Sequence, residues 1–228
     1  MAIKAVFVDF YGTLVHEDDE IIPIVCERVR SSSNTHCEIK DISKFWWKTF
    51  MAAFSSSCDD TFQTQRSLGI SSLSETIRNF NSNCVAEDII QIQFKHWLRP
   101  KIFDDTRPFL QSLHGLTTLI LSNIDTKDID EAMRYHAIQV NDVITSEDVK
   151  SYKPNPELFQ EALRRLNLDP SEVIHIGDSL LSDVRGAQNA GIRAIWLNRF
   201  NKTKPEDITP DYICSDLFKV SDVLNSLN

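Results

Sequence analysis

Ile3-Lys4-Ala5-Val6-Phe7-Val8-Asp9-Phe10-Tyr11-Gly12-Thr13-Leu14 decides how the rest of the chain is read. The apolar run from Ile3 to Val8 reads as a strand. It delivers a carboxylate, Asp9, at its end, and Gly12 permits the turn that follows. A carboxylate held there can act as a nucleophile, a metal ligand or both. Three later stretches carry similar chemistry: Ser122-Asn123, Lys153-Pro154, and Gly177-Asp178-Ser179 with Asp183.

Working outward, short β-rich runs alternate with helix-period segments through the second half. Leu116 to Leu121, Val143 to Thr145, Val173 to Ile176, Ala194 to Leu197 and Tyr212 to Cys214 read as strands. Leu158, Phe159, Ala162, Leu163 and Leu166 mark one helix, with Pro156 in its first turn. Val184, Ala187 and Ala190 mark another, closed by Gly191, and Leu217, Val220, Leu224 and Leu227 mark a last one. Such alternation predicts an α/β fold with a parallel sheet covered on both faces.

Residues 15–104 break the pattern. Only helical periodicity occurs there, through Ile22, Val25 and Val29, then Trp46, Phe50 and Phe54, then Ile77 and Phe80, then Ile89, Ile92 and Trp97. Spacers rich in Ser, Asn and Asp read as loops. The division expected is therefore a core of residues 1–14 and 105–228 and a helical-bundle cap of residues 15–104. Ligands of an open α/β sheet bind beyond the carboxyl ends of its strands, so the insert is expected to cover the site as a lid. The stripe Trp46, Trp47, Phe50 and Phe54 reads as the insert's own core.

On this reading Asp9, Ser122 and Asp178 all follow strand ends, and Lys153 lies in a loop before a helix. A parallel sheet gathers such ends on one edge. Asp9, Asp178 and Asp183 are hard oxygen donors suited to Mg²⁺, and the backbone carbonyl of Tyr11 can add a fourth ligand. Ser122 and nearby N–H groups can bind transferring oxygens, Lys153 can act as a fixed positive charge, and Thr13 can hold the loop by bonding its backbone. Singly, each stretch has a plainer reading as a turn or helix cap. Jointly and in this order they point to one site.

Composition narrows the class of function. Of 228 residues, 42% are hydrophobic and 25% charged, enough for an ordinary buried core. A formal net charge of −9 argues against general binding to nucleic acid or anionic membranes. No apolar run approaches the roughly 20 residues that span a bilayer, and the start shows no signal-peptide pattern. Five scattered cysteines suit reduced thiols in a cytoplasmic protein.

In their order the four stretches resemble the haloacid dehalogenase (HAD) superfamily of hydrolases, most of which are phosphatases. The resemblance covers nearly the whole chain and implies a Rossmann-like doubly wound core with a cap inserted after the first motif. It implies Asp9 as the nucleophile of an aspartyl-enzyme intermediate, and Thr13 as part of the catalytic loop. Ser122, Asn123 and Lys153 would bind the substrate, and Asp178 and Asp183 would support Mg²⁺. Gly177 to Gly191 looks like the fourth motif of capped phosphatases. Tyr11 departs from that pattern: phosphatases of this group usually carry an aspartate there as general acid and base. Asp9 to Leu14 instead resembles the 2-haloacid dehalogenases, which need no metal. Those enzymes carry Ser-Ser-Asn where this chain has Gly177-Asp178-Ser179, a Tyr where it has Phe159, and a cap arginine that Arg28, Arg30 and Lys40 do not convincingly match. The expectation is a Mg²⁺-dependent phosphatase acting on a small phosphorylated substrate, with a 2-haloacid dehalogenase and a non-catalytic phospholigand-binding protein as rivals. Oligomeric state is not readable.

Overall fold

Ala5–Val8 forms strand β1, and all four of its residues are buried. Ala-Val-Phe-Val lacks polar alternation because both faces of a central strand in a parallel sheet are covered. The computed structural model describes residues 2–227. Five further strands follow: β2 (Thr117–Ser122), β3 (Asp142–Thr145), β4 (Val173–Gly177), β5 (Arg193–Leu197) and β6 (Tyr212–Cys214). All pair in parallel in the order β3-β2-β1-β4-β5-β6. That is the doubly wound, Rossmann-like order, as expected.

The chain winds outward from β1 to β3, then returns to the other side of β1 with β4. A crevice opens at such a switch point, beyond the carboxyl ends of the two strands. Phe7, Leu119, Leu121, Ile144, Phe159 and Trp196 meet in one buried cluster beside the sheet. Helix Glu157–Leu166 contributes Leu158, Phe159 and Ala162 to it, and Pro156 stands immediately before its first residue. The strand read as Leu116 to Leu121 starts and ends one residue later. Leu116 closes a turn instead, its N–H bonding the Leu113 carbonyl at 3.0 Å, and Ser122 becomes the last strand residue.

Two compact units divide the chain. One comprises Met1–His16, Lys101–Asn123 and Ile138–Asn228; the other comprises Glu17–Pro100 and Ile124–Ala137. The second is helical, with helices Ile22–Ser31, Ile39–Ser55, Gln65–Asn79, Ala86–Ile89 and Gln91–Leu98. Its apolar interior includes Val25, Val29, Ile42, Leu68, Leu73 and Ile90. Trp46 is buried there and donates Nε1–H to Ser72 Oγ at 3.1 Å. The aromatic stripe is not all core, however. Trp47 is 64% exposed and stacks on Phe50, because adjacent helical residues point about 100° apart. No helix among the described residues is long and apolar enough to cross a membrane.

Helix Thr126–His136, which the sequence gives to the core, clusters with the helical unit. Polar contacts explain this. The buried Asp125 carboxylate accepts the N–H groups of Gln65 and Arg66 at 2.6 and 3.0 Å, capping the first turn of Gln65–Asn79. Asp128 takes a bidentate pair from Arg66 at 2.6 and 2.8 Å, and the Arg66 guanidinium also lies over the Phe94 ring. His136 Nε2 lies 2.7 Å from the Pro100 carbonyl. Replacing Asp125 with alanine removes the acceptor from two first-turn donors, and a fall in unfolding free energy of about 1–2 kcal/mol is expected in urea denaturation.

Candidate active site

The register of the sheet places the first and fourth motifs side by side. Val8 pairs with Ile176, and the N–H of Asp9 continues the ladder to the Ile176 carbonyl at 2.8 Å. Asp9 and Asp178 therefore leave adjacent strands within two residues of each other in register. After Asp9 the backbone turns back on itself: Leu14 N–H bonds the Phe10 carbonyl and Gly12 N–H bonds the Val15 carbonyl, at 2.8 and 2.7 Å. Gly12 is required twice over. Its φ is +86°, and a Cβ there would stand 2.5 Å from Asp178 Oδ1.

Asp183 reaches the same point by a different route. The helix marked by Val184, Ala187 and Ala190 is present, but it begins as a π-helix, Leu180–Arg185, that carries Val184 and runs directly into the α-helix Gly186–Asn189. Such wide turns concentrate at functional sites. Here the wide turn carries Asp183 back against Gly177, where any side chain on residue 177 would collide with its carboxylate. Ser179 N–H donates to Asp183 Oδ2 at 3.0 Å. Trp196 on β5 steadies the same loop, donating Nε1–H to the Asp178 carbonyl at 2.9 Å. The outcome is three carboxylates, Asp9, Asp178 and Asp183, each with an oxygen within 4.8 Å of the others.

Lys153 is buried among them. Its ammonium donates to Asp9 Oδ1 at 2.7 Å, Asp183 Oδ1 at 2.7 Å and the Leu121 carbonyl at 2.8 Å. Asn123 fixes its backbone: Oδ1 accepts Lys153 N–H at 2.7 Å, and Nδ2 donates to the Lys153 carbonyl at 3.1 Å. The Asn123 amide is therefore a clasp on the Lys153 loop. Ser122, also buried, ends β2 opposite Thr145.

One buried cation among three acids sets the electrostatics. Burial raises the Asp9 carboxyl to about 7; Lys153 opposes the rise, but Asp183 and Asp178 add to it. Burial and the neighbouring Asp183 likewise push Asp178 up to about 6. Burial also works against the charge on Asp183, but Lys153 and His175 outweigh it and hold this acid well below the usual range. Lys153 is held protonated, the attraction of Asp183 and Asp9 exceeding the cost of burial. Lys153 thus charges one acid fully and leaves the other two short of positive charge.

Among the residues named from sequence, Asp9, Lys153, Asp178 and Asp183 converge. Tyr11 sits half-buried in the Gly12 turn with its ring edge-on to Phe10 at 5.1 Å. Thr13 differs from expectation. Its Oγ1 is buried without a hydrogen-bond partner, so it does not tie the loop. Arg199 ties it instead, donating to the Thr13 carbonyl at 2.8 Å while forming a bidentate pair with buried Asp105 at 2.8 and 2.9 Å. Sequence reading missed Arg199, Asp105, Lys202 and His175. His175 lies inside a buried strand and donates Nε2–H to Asp183 Oδ1 at 3.1 Å. A histidine interrupting the apolar run Val173 to Ile176 was the available signal. Nothing in the local pattern around residues 199–202 marks those two cations.

With this geometry established, comparison with known proteins gives the class. The profile of the haloacid dehalogenase-like hydrolases matches residues 3–191. The chain belongs to that family of hydrolases. The Danio rerio haloacid dehalogenase-like hydrolase domain-containing protein 3 is 32% identical over 122 residues, covering 51% of this chain and 50% of that protein. Thermus thermophilus phosphoserine phosphatase is 29% identical over 141 residues, covering 59% of this chain and 56% of that protein. The chain thus spans about half the length of these curated relatives. Among solved structures, L-2-haloacid dehalogenase from Xanthobacter autotrophicus with covalently bound chloropropionic acid superposes with a TM-score of 0.79 at 16% identity, over 99% of this chain and 100% of that one. The HAD-hydrolase YfnB from Bacillus subtilis, bound to magnesium, gives 0.78 at 18% identity over the same shares. At these identities the likeness is one of fold.

Replacing Lys153 with methionine strands two buried carboxylates. A loss of about 3–5 kcal/mol in unfolding free energy is expected near neutral pH, with partial recovery in acid as Asp9 takes up a proton. Equilibrium urea denaturation at both pH values checks the loss and its sign.

Proposed function

We infer that this hydrolase is a Mg²⁺-dependent phosphatase of small phosphorylated metabolites, with Asp9 as nucleophile. The observation that supports this most is the charge deficit of the site: three carboxylates within 4.8 Å of one another share a single buried ammonium. The donor set fits a hard divalent ion, being all oxygen, and Gly12 keeps the approach to Asp178 clear. Asp9, Asp178 and the Tyr11 carbonyl would hold the ion, with Asp183 anchoring the set through Lys153. Bound there, the ion would neutralise charge on the transferring phosphoryl oxygens.

The residues of the chain do the rest. Lys153 takes one oxygen of Asp9 and leaves Oδ2 to attack phosphorus. The new Oδ2–P bond forms as the P–O bond to the leaving group breaks, giving an aspartyl phosphate that water later hydrolyses. Ser122 and the Thr13 hydroxyl are the polar side chains of the motifs suited to the transferring oxygens. The position of the usual general acid holds Tyr11, whose phenol, with an ordinary pKa near 10, is a poor base at neutral pH. Substrates whose leaving group needs no proton, such as acyl or aryl phosphates, suit this site best. A cytoplasmic setting suits the five free cysteines.

Tyr11 is also the observation that favours a second reading, hydrolysis of a 2-haloacid, since halide leaves without a proton. Against it stands the cost of Asp178 beside Asp9 without a cation. Parallel measurement of phosphate and halide release, with Mg²⁺ and with EDTA, separates the two. Phosphate release that EDTA abolishes is expected; chloride release from 2-chloropropionate in EDTA would overturn the phosphatase.

Restoring an acid should help alkyl esters. Tyr11→Asp is expected to raise Mg²⁺-dependent turnover of a simple alkyl phosphate by about 10²-fold, the low end of what general acid catalysis supplies. Steady-state kinetics on a folded, metal-binding variant measures this.

The raised carboxyls of Asp9 and Asp178 give a pH signature. Below about pH 6 they hold protons that a cation must displace, so Mg²⁺ affinity should climb as pH rises toward about 7.5. Calorimetry in buffers of different ionisation enthalpy should show proton release on binding, largest in the acidic half of that range.

A further inference from the structure

The backbone after Asp9 does not end at the Gly12 turn. Residues 13–16 run on beside residues 101–106, with Val15 bridged antiparallel to Ile102. His16 N–H bonds the Lys101 carbonyl at 2.8 Å, and Phe103 N–H bonds the Leu14 carbonyl at 3.3 Å. The Thr106 hydroxyl donates to that same carbonyl at 2.6 Å. The chain leaves the first compact unit after His16 and re-enters it at Lys101. The turn beside Asp9 is therefore continuous with a strap of two arms, one outgoing and one returning.

Arg199 joins the two arms. Its Nη1 donates to Asp105 Oδ2 at 2.8 Å, and its Nη2 donates both to Asp105 Oδ1 at 2.9 Å and to the Thr13 carbonyl at 2.8 Å. Asp105 belongs to the returning arm and Thr13 to the outgoing one. The guanidinium carbon also lies 3.9 Å from the Phe103 ring centroid, and that ring stacks on His16 at 3.9 Å. Only 10% of the Arg199 side chain and 7% of the Asp105 side chain are exposed, so little water is at hand to take over a lost bond. A planar fork of five donors can span a carboxylate and a carbonyl together, whereas the ammonium of a lysine is a single point. The turn needs such a hold. Gly12, at φ of +86°, is the residue with the most backbone freedom to lose, and the Thr13 hydroxyl makes no hydrogen bond of its own.

We propose that Arg199 is a positioning residue: by tying the Thr13 carbonyl to the returning arm, it holds the Gly12 turn in the shape through which Asp9 and the Tyr11 carbonyl share a divalent ion. The proposal rests on the phosphatase reading and adds to it a residue outside the four motifs. Arg199 touches neither substrate nor ion on this account. It acts through Thr13, two residues beyond the Tyr11 carbonyl, and through the strap, so that a displacement of either arm is passed to the turn.

Arg199→Lys in the whole protein separates positioning from plain stability, because it keeps a cation for buried Asp105 and loses the span to Thr13. Wild type and variant are compared by thermal melts, by amide hydrogen exchange, by calorimetric titration with Mg²⁺ and by steady-state hydrolysis of acetyl phosphate. Exchange in residues 10–16 and 101–106 should quicken by about tenfold while β4 is unchanged, as loss of one charge-assisted bond implies. Mg²⁺ binding should weaken by about tenfold, and kcat should fall by about tenfold or more with KM altered less than about threefold. Should Arg199→Lys fail to fold, the pair Arg199→Met with Asp105→Leu removes both buried charges together and carries the same readouts. A folded variant whose Mg²⁺ affinity and kcat stay within about twofold of wild type overturns the role of Arg199 and leaves the phosphatase reading standing, whether or not exchange quickens. A fall in kcat with unchanged exchange overturns it too, since Arg199 would then not act through the turn. Wild-type protein that neither binds Mg²⁺ nor releases phosphate overturns both.

Discussion

Everything at the carboxyl edge of this sheet depends on one buried ammonium. Lys153 joins β1 through Asp9, β2 through the Leu121 carbonyl and the π-helical turn after β4 through Asp183. Three elements far apart in sequence thus converge on a single nitrogen, and each bond made inside low-dielectric surroundings is costly to lose. Asn123 holds the backbone of that lysine from below, so the second motif acts through the third. The site is better described as a lysine with its acceptors arranged around it than as four motifs meeting by chance of topology.

A second brace works on the loop after Asp9 from the opposite direction. Arg199 follows β5, holds Asp105 with both terminal nitrogens, lies 3.9 Å from the Phe103 ring centroid, and reaches the Thr13 carbonyl. Asp105 also accepts the N–H of Leu217, at 2.9 Å. Its carboxylate is thereby satisfied on both oxygens, as a buried charge must be. The loop that turns at Gly12 is thus pinned at its strand end by the ladder to β4 and at Thr13 by Arg199. Residues 198–202 reach the site twice, through Arg199 on the Thr13 carbonyl and Lys202 on Asp178.

The fold was legible because its signals are local. Uninterrupted apolar runs mark the inner strands, and helical periodicity marks the insert; both follow from backbone geometry and burial. Asp9, Lys153, Asp178 and Asp183 were legible because motif spacing and strand ends predict one edge. What escaped notice depends on contacts between distant residues. No pattern near Asp125 announces that it caps a helix starting at Gln65, so sequence alone does not show that the helix after the second motif clusters with the helical unit. Arg199 and Lys202 look like ordinary surface cations until the loop is folded. Thr13 was expected to bond the loop because threonine commonly does, whereas an arginine 186 residues away takes the carbonyl.

Tyr11 gains its meaning from this charge arrangement rather than from its own chemistry. A halide-releasing site gains nothing from a second and third carboxylate beside its nucleophile, because each added acid makes Asp9 harder to ionise and so a weaker nucleophile. Asp183 already has Lys153 and His175 beside it, so Asp178 is the acid that, on the phosphatase reading, calls for further positive charge arriving with, or before, the substrate. On that reading tyrosine in place of an acid at position 11 withholds proton transfer, a factor confined to poor leaving groups, while loss of Asp178 would remove the means of drawing that charge in. The two changes are therefore not equivalent, and on the phosphatase reading a chain that keeps the acids while carrying tyrosine has the charge arrangement of a phosphoryl-transfer site with a restricted choice of leaving groups.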